Sequence, residues 1–121
     1  MSAFAPAQLI RKIMWPGSLE LSRLAAHVRG NLWRRIRVEE LARLAGLDAP
    51  QFSRAFRREH STTPYAFVVE IRVAHAKALL ASGAAIADAA ADAGFADQSH
   101  FARHFRRKVG MTPSEYVRAY G

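Results

Sequence analysis

The stretch FSRAFRREHSTTP at residues 52–64 returns as FARHFRRKVGMTP at residues 101–113, with 7 of 13 positions identical at an offset of 49. Self-similarity of this kind marks a duplicated supersecondary unit. Upstream the correspondence continues at an offset of 48, pairing Val38 with Ile86, Ala42 with Ala90 and Gly46 with Gly94, so the second copy carries one extra residue in its turn. Each copy reads as a short apolar-periodic helix, a glycine that suits the left-handed end of that helix, and a longer basic helix. Asp48 with Gln51 makes a D-x-x-Q capping box in the first copy, and Asp97 caps the equivalent helix in the second. Thr63-Pro64 and Thr112-Pro113 then start the next helix, the latter with Glu115 completing a T-x-x-E box. A short helix, a tight turn and a second helix form a helix-turn-helix, and there are two of them.

Working outward, a connecting helix of about 19 residues runs from Pro64 to the Ser82-Gly83 break, with Phe67, Ile71, Ala74, Ala78 and Leu79 as its expected buried stripe. Before the first copy, Ser18 is the expected cap of a helix running through Leu21, Leu24, Ala25, Val28 and Leu32. Leu9, Ile10, Ile13 and Met14 share one helical face ahead of Pro16-Gly17, which makes residues 1–17 either an eighth short helix packed on the first unit or a linker. The expected organisation is an N-terminal extension or linker (1–17), a first helix-turn-helix subdomain (18–63), a linker helix (64–83) and a second subdomain (84–121). The 24 alanines outnumber the 15 Val, Ile and Thr residues, favouring helix over strand. The expected fold is all-α, with about seven helices.

In each second helix two phenylalanines stand four residues apart, Phe52 with Phe56 and Phe101 with Phe105, and therefore share a face that must be buried. At 100° per residue Arg54 lies opposite the first pair, flanked by Pro50, Gln51, Arg57 and Arg58; Arg103 lies opposite the second, flanked by Ser99, His100, Arg106 and Arg107. Glu39, Glu40, Asp88 and Asp92 fall on the first helices, so charge is sorted by helix. The chain has 121 residues and a net charge of +8, and 15 of its 18 cationic residues are arginine. That balance points to a polyanion, and arginine's planar fork suits phosphates and guanine edges. A merely solvated basic face would not repeat at matched positions.

The same residues exclude other classes. The chain has no cysteine, so thiol chemistry, disulfides and thiolate metal sites are out. It shows neither a membrane-length apolar run nor a signal peptide, and the expected location is the cytoplasm, on the nucleoid. No Ser/His/Asp set, glycine-rich phosphate loop or carboxylate pair stands out, so neither an enzyme nor a cofactor is expected. His100 and His104 lack a third ligand at helical spacing, which leaves no metal site. His27, His60 and His75 stand alone, and Trp15 and Trp33 are expected to be packing residues.

The sequences EELARLAGL, FSRAFRR, RVAHAKALL and GFADQSHFARHFRRKVGMTPSEY resemble the AraC/XylS family of bacterial transcription regulators, over roughly residues 18–120. The resemblance implies two helix-turn-helix subdomains on a long helix, placing recognition helices in successive major-groove segments on one face of double-stranded DNA. Base-reading roles then fall to Pro50, Gln51, Ser53 and Arg54 in the first unit, and to Gln98, Ser99, His100 and Arg103 in the second. Arg57, Arg58, Arg106, Arg107 and Lys108 are the expected phosphate contacts. Three positions depart from the family pattern: Pro50 stands where a larger side chain is common, Ala89 replaces a β-branched core residue, and Val117 stands where Arg often follows the tyrosine. A linker helix of roughly 28 Å can hold the two recognition helices near the ~34 Å of one DNA turn. Their faces differ, so the expected site is asymmetric and read by one monomer. Partners implied are DNA, RNA polymerase for an activator, and a sensor domain if the chain is the C-terminal part of a longer regulator rather than a stand-alone one. The competing class is a basic helical module that binds anionic membrane or a protein partner, which leaves the turn glycines and the T-P repeat unexplained.

Overall fold

The computed structural model describes residues 17–121, and within them every regular element is a helix. In chain order these are α1 (Gly17–Arg29), α2 (Val38–Leu44), α3 (Ala49–His60), α4 (Pro64–Ala81), α5 (Ile86–Asp92), α6 (Gln98–Val109) and α7 (Pro113–Tyr120). The candidate eighth helix lies outside the described residues. The two copies match in length, since α2 and α5 have 7 residues each and α3 and α6 have 12.

Local chemistry sets most of these boundaries. The Gln51 backbone N–H donates to Asp48 Oδ1 at 2.8 Å, and the Asp48 N–H donates to Gln51 Oε1 at 3.2 Å. The Asp97, Thr63 and Thr112 side chains accept from the third residue of their helices, and Glu115 returns the bond to Thr112. Each cap satisfies a backbone donor that the helix cannot, worth about 1 kcal/mol. Gly46 and Gly94 occupy left-handed φ of +75° and +90° after α2 and α5. The start of the chain differs from expectation: the helix is already formed at Gly17, so Ser18 lies inside it, and it ends at Arg29 rather than continuing through Leu32.

Two hydrophobic clusters lie along α4. Leu24, Val28, Leu32, Leu41, Ala42, Phe52, Ala55 and Phe56 form the first, closed by Val68. The second gathers Ala89, Ala90, Ala93, Phe95, Phe101, Phe105 and Tyr116 around Val69, Val73, Ala76 and Leu80. The two Phe pairs hold the same place in each cluster, with ring centroids 5.6 Å and 5.4 Å apart and no solvent exposure.

The buried stripe of α4 differs from the expected one. Val68, Val69, Arg72, Val73, Ala76 and Leu80 are buried, while Ala74 and Ala78 are exposed and Phe67, Ile71 and Leu79 pack at the margins. A helix wedged between two cores is apolar on most of its circumference, and such a helix has no phase that periodicity can read. Ala89, the small residue expected in the second core, is fully buried where α5 packs on α4.

Arg72 is the exception in that stripe, a cation only 7% exposed. Its Nη1 donates to the carbonyls of Leu32 at 2.7 Å and Ala93 at 3.0 Å, and its Nη2 donates to the carbonyl of Arg34 at 2.9 Å. Leu32 and Arg34 belong to the α1–α2 connection and Ala93 to the α5–α6 turn, so one guanidinium ties both helix-turn-helix units to the helix between them. A Cβ at Gly94 would overlap Arg72 Nη1 and the Leu32 carbonyl, which makes glycine necessary there for space as well as for φ. Burial lowers the Arg72 pKa, but a guanidinium stays charged at neutral pH.

Candidate nucleic-acid interface

Burying Phe52, Ala55 and Phe56 rotates the opposite face of α3 outward. Pro50, Gln51, Arg54, Arg57 and Arg58 are exposed, and Ser53 is half-buried. On α6 the burial of Phe101 and Phe105 does the same for Gln98, Ser99, Arg103, Arg106, Arg107 and Lys108, with His100 half-buried. None of these arginines or Lys108 makes an ion-pair contact with a carboxylate among the described residues. Each face is therefore a row of exposed cations, with Arg57 and Arg58 in the last turn of α3 and Arg106, Arg107 and Lys108 in the last turn of α6.

Two of the expected contact residues are partly committed elsewhere. Gln51 uses its Oε1 in the capping box, which leaves its amide NH2 as the outward group. His100 has its Nε2 3.0 Å from His104 Nε2, so one ring donates to the other, and Phe95 packs edge-on against the His100 ring. His104 titrates below the ordinary histidine range, chiefly because it is partly buried and then because His100, Arg107, Arg103 and Lys108 place positive charge around it. Among the described residues no group of three His, Cys, Asp or Glu side chains is placed to hold a metal ion.

Sequence reasoning missed the segment between α1 and α2. Trp33, expected to pack, is 77% exposed, because Leu32 and Ile36 take the inward places on either side of it. Arg34 is pinned by a bidentate pair with Glu40 at 3.0 and 2.7 Å and by Asn31 Oδ1 at 3.1 Å. His27 Nε2 approaches the same carboxylate at 2.7 Å, and the Arg34 pair holds the Glu40 pKa well below the usual carboxylate range. Arg35 and Arg37 remain exposed. The available signal was the run Trp33-Arg34-Arg35-Ile36-Arg37, with three arginines outside any amphipathic helix. Arg72 was missed too, although it is the only arginine in the mostly apolar run of α4.

Two short helix pairs, each presenting a cationic second helix and both mounted on one long helix, define a tandem helix-turn-helix protein. The family model described as a helix-turn-helix domain matches residues 41–119. A probable AraC family transcriptional regulator from Rhodopseudomonas palustris CGA009 superposes with a TM-score of 0.73 at 32% identity, covering 84% of this chain and 96% of that one. The DNA-binding domain of AdpA, a global transcriptional factor solved in complex with a target DNA, superposes with a TM-score of 0.73 at 29% identity, covering 84% of this chain and 92% of that one. In sequence, the virulence regulon transcriptional activator VirF of Yersinia enterocolitica is 32% identical over 100 residues, 82% of this chain and 37% of that protein. The regulator ExsA of Pseudomonas aeruginosa is 34% identical over 85 residues, 69% of this chain and 30% of that protein. The chain belongs to the AraC/XylS family of helix-turn-helix regulators, and it spans about a third of the length of these two relatives.

Proposed function

We propose that this chain is a transcriptional regulator that binds double-stranded DNA specifically, with α3 and α6 entering successive major-groove segments. The observation that carries the reading is the repetition, at matched positions, of an exposed cationic face on a helix whose other face is anchored by two buried phenylalanines. The AdpA domain, alike in fold, was solved on its target DNA, which supports the same use of these helices here.

In this reading residues 18–63 and 84–121 act as two reading units held by the linker helix at 64–83. Arg54 and Arg103 stand at the centres of the outward faces and read base edges, each able to discriminate by ~1–3 kcal/mol through a bidentate contact to guanine. Pro50, Gln51, Ser53, Gln98, Ser99 and His100 supply shape and hydrogen bonds around them. His100 reads through the ring atoms not turned to His104. Arg57, Arg58, Arg106, Arg107 and Lys108, further along each helix, hold phosphates without regard to sequence. The two faces differ, so the operator is asymmetric and one chain suffices. The site of action is nucleoid DNA in the cytoplasm, and at an activated promoter the partner is RNA polymerase.

Selection of bound duplexes from a random pool tests the proposal. An enriched asymmetric site with two reading positions about one turn apart is expected. Equal retention by unrelated duplexes, other polyanions and anionic liposomes would refute it.

A further inference from the structure

Between the two helix-turn-helix units lies a cleft of about 830 Å³ that shares only His100 with the two recognition faces. One wall is the Trp33–Arg37 segment and the start of α2; the other is the Gly94–Ala96 turn with His100 of α6, and Tyr65 of α4 joins the lining. We infer that this cleft is a third DNA contact, which grips the sugar–phosphate backbone of the duplex between the two major-groove segments. The inference rests on the DNA-binding reading above.

Three observations carry it. The first is position. In a helix-turn-helix the first helix crosses the backbone while the N-terminal end of the second enters the groove. The cleft lies between the start of α2, the backbone-crossing helix of the first unit, and the start of α6, the groove-entering helix of the second. On the DNA-binding reading, a duplex engaged by both units runs past its mouth.

The second is charge. Arg35 and Arg37 are exposed and make no ion-pair contact among the described residues, whereas Arg34 is neutralised by Glu40. Glu39 is the single carboxylate on the lining.

The third is pre-organisation. The Arg34 carbonyl is held by Arg72 and its side chain by Glu40 and Asn31, so the backbone carrying Arg35 and Arg37 is fixed before any ligand arrives. Trp33 and Tyr65, 77% and 62% exposed, flank the same cleft. Such apolar faces are costly to leave in water and suit deoxyribose edges.

The test compares the wild-type chain with Arg35→Gln/Arg37→Gln on the selected duplex. With two fewer phosphates neutralised, the slope of log affinity against log salt should fall by about 1.8, so the affinity loss between 50 and 200 mM salt shrinks roughly 12-fold. Base preference should stay unchanged. Neutral methylphosphonates placed between the two half-sites should weaken the wild type and leave the double variant nearly unaffected. In a Trp15→Phe background, Trp33 emission should change on binding. An unaltered thermal melt shows that the variant is folded. A double variant with the wild-type salt slope, or equal sensitivity of both proteins to the neutral backbone patch, would overturn the cleft assignment while leaving the recognition helices in place. Failure of the wild type to prefer any duplex would overturn both readings.

Discussion

Replacing Arg72 by methionine keeps the length and apolar stem of the side chain and removes the guanidinium. Three carbonyls, those of Leu32, Arg34 and Ala93, are then deprived of a charged donor at 2.7 to 3.0 Å. Hydrogen bonds from charged groups contribute about 1.5–3 kcal/mol each when broken singly, an upper bound of roughly 4.5–9 kcal/mol for three that share one cation. Against this stands the several kcal/mol that it costs to keep a cation out of water, which methionine avoids. A net destabilisation of about 2–4 kcal/mol follows, or roughly 10–25 °C in Tm for a domain of this size. Thermal unfolding followed by circular dichroism measures it. The same bonds fix the first unit against the second, so the variant should also lose discrimination between the selected operator and one lengthened by a base pair between its half-sites. Lysine at 72 can keep at most part of the set and should fall between. If Arg72→Met melts within about 2 °C of the wild type and retains the spacing preference, Arg72 is not the tie described here.

The remaining expectations are each open to a single assay. Arg54→Ala or Arg103→Ala should relax preference at a few base pairs, while Arg107→Ala should weaken all duplexes alike and flatten the salt dependence by about 0.9; titrations of a sequence panel at several salt concentrations separate the two outcomes. Ser61 ends α3 in the left-handed region at φ +57°, where its counterpart in the second unit is Gly110 at +91°. Ser61→Gly should therefore raise stability by up to about 1 kcal/mol, a gain that denaturant melts would resolve. Glu40, held below its ordinary range by Arg34, binds its proton in the unfolded chain first, so its contribution should be present at neutral pH and fade as pH drops below 4.5. An acid titration of stability with Glu40→Gln should show a shallower loss there. His104 is also depressed, so unfolded chains protonate first as pH falls below 6.5; stability should decline in that interval, and His104→Gln should flatten the decline.

Local features were the legible ones. The capping boxes at Asp48 and Thr112, the Thr-Pro starts and the turn glycines act through hydrogen bonds and φ preferences that span three or four residues, so a linear reading finds them. The 49-residue offset showed that two units exist, and the Phe pairs set the phase of α3 and α6. In α4 periodicity failed, because Val68 faces one core and its neighbour Val69 the other. Trp33 departs from the expected packing for a related reason: a residue in a connection has no periodicity to say whether it points inward.

The sequence by itself determined the number and order of the units, their helical character and which side of each recognition helix carries positive charge, since these follow from the 49-residue repeat and from spacing within a helix. Only the tertiary structure decided how the two units are held together and what lies between them. Arg72 meets Leu32 and Ala93 from 40 and 21 residues away. The opposed walls of the cleft come from α1–α2 and α5–α6 connections far apart in the chain. Those contacts depend on how α4 presents its circumference to two cores, a property set by packing in three dimensions rather than by any local pattern.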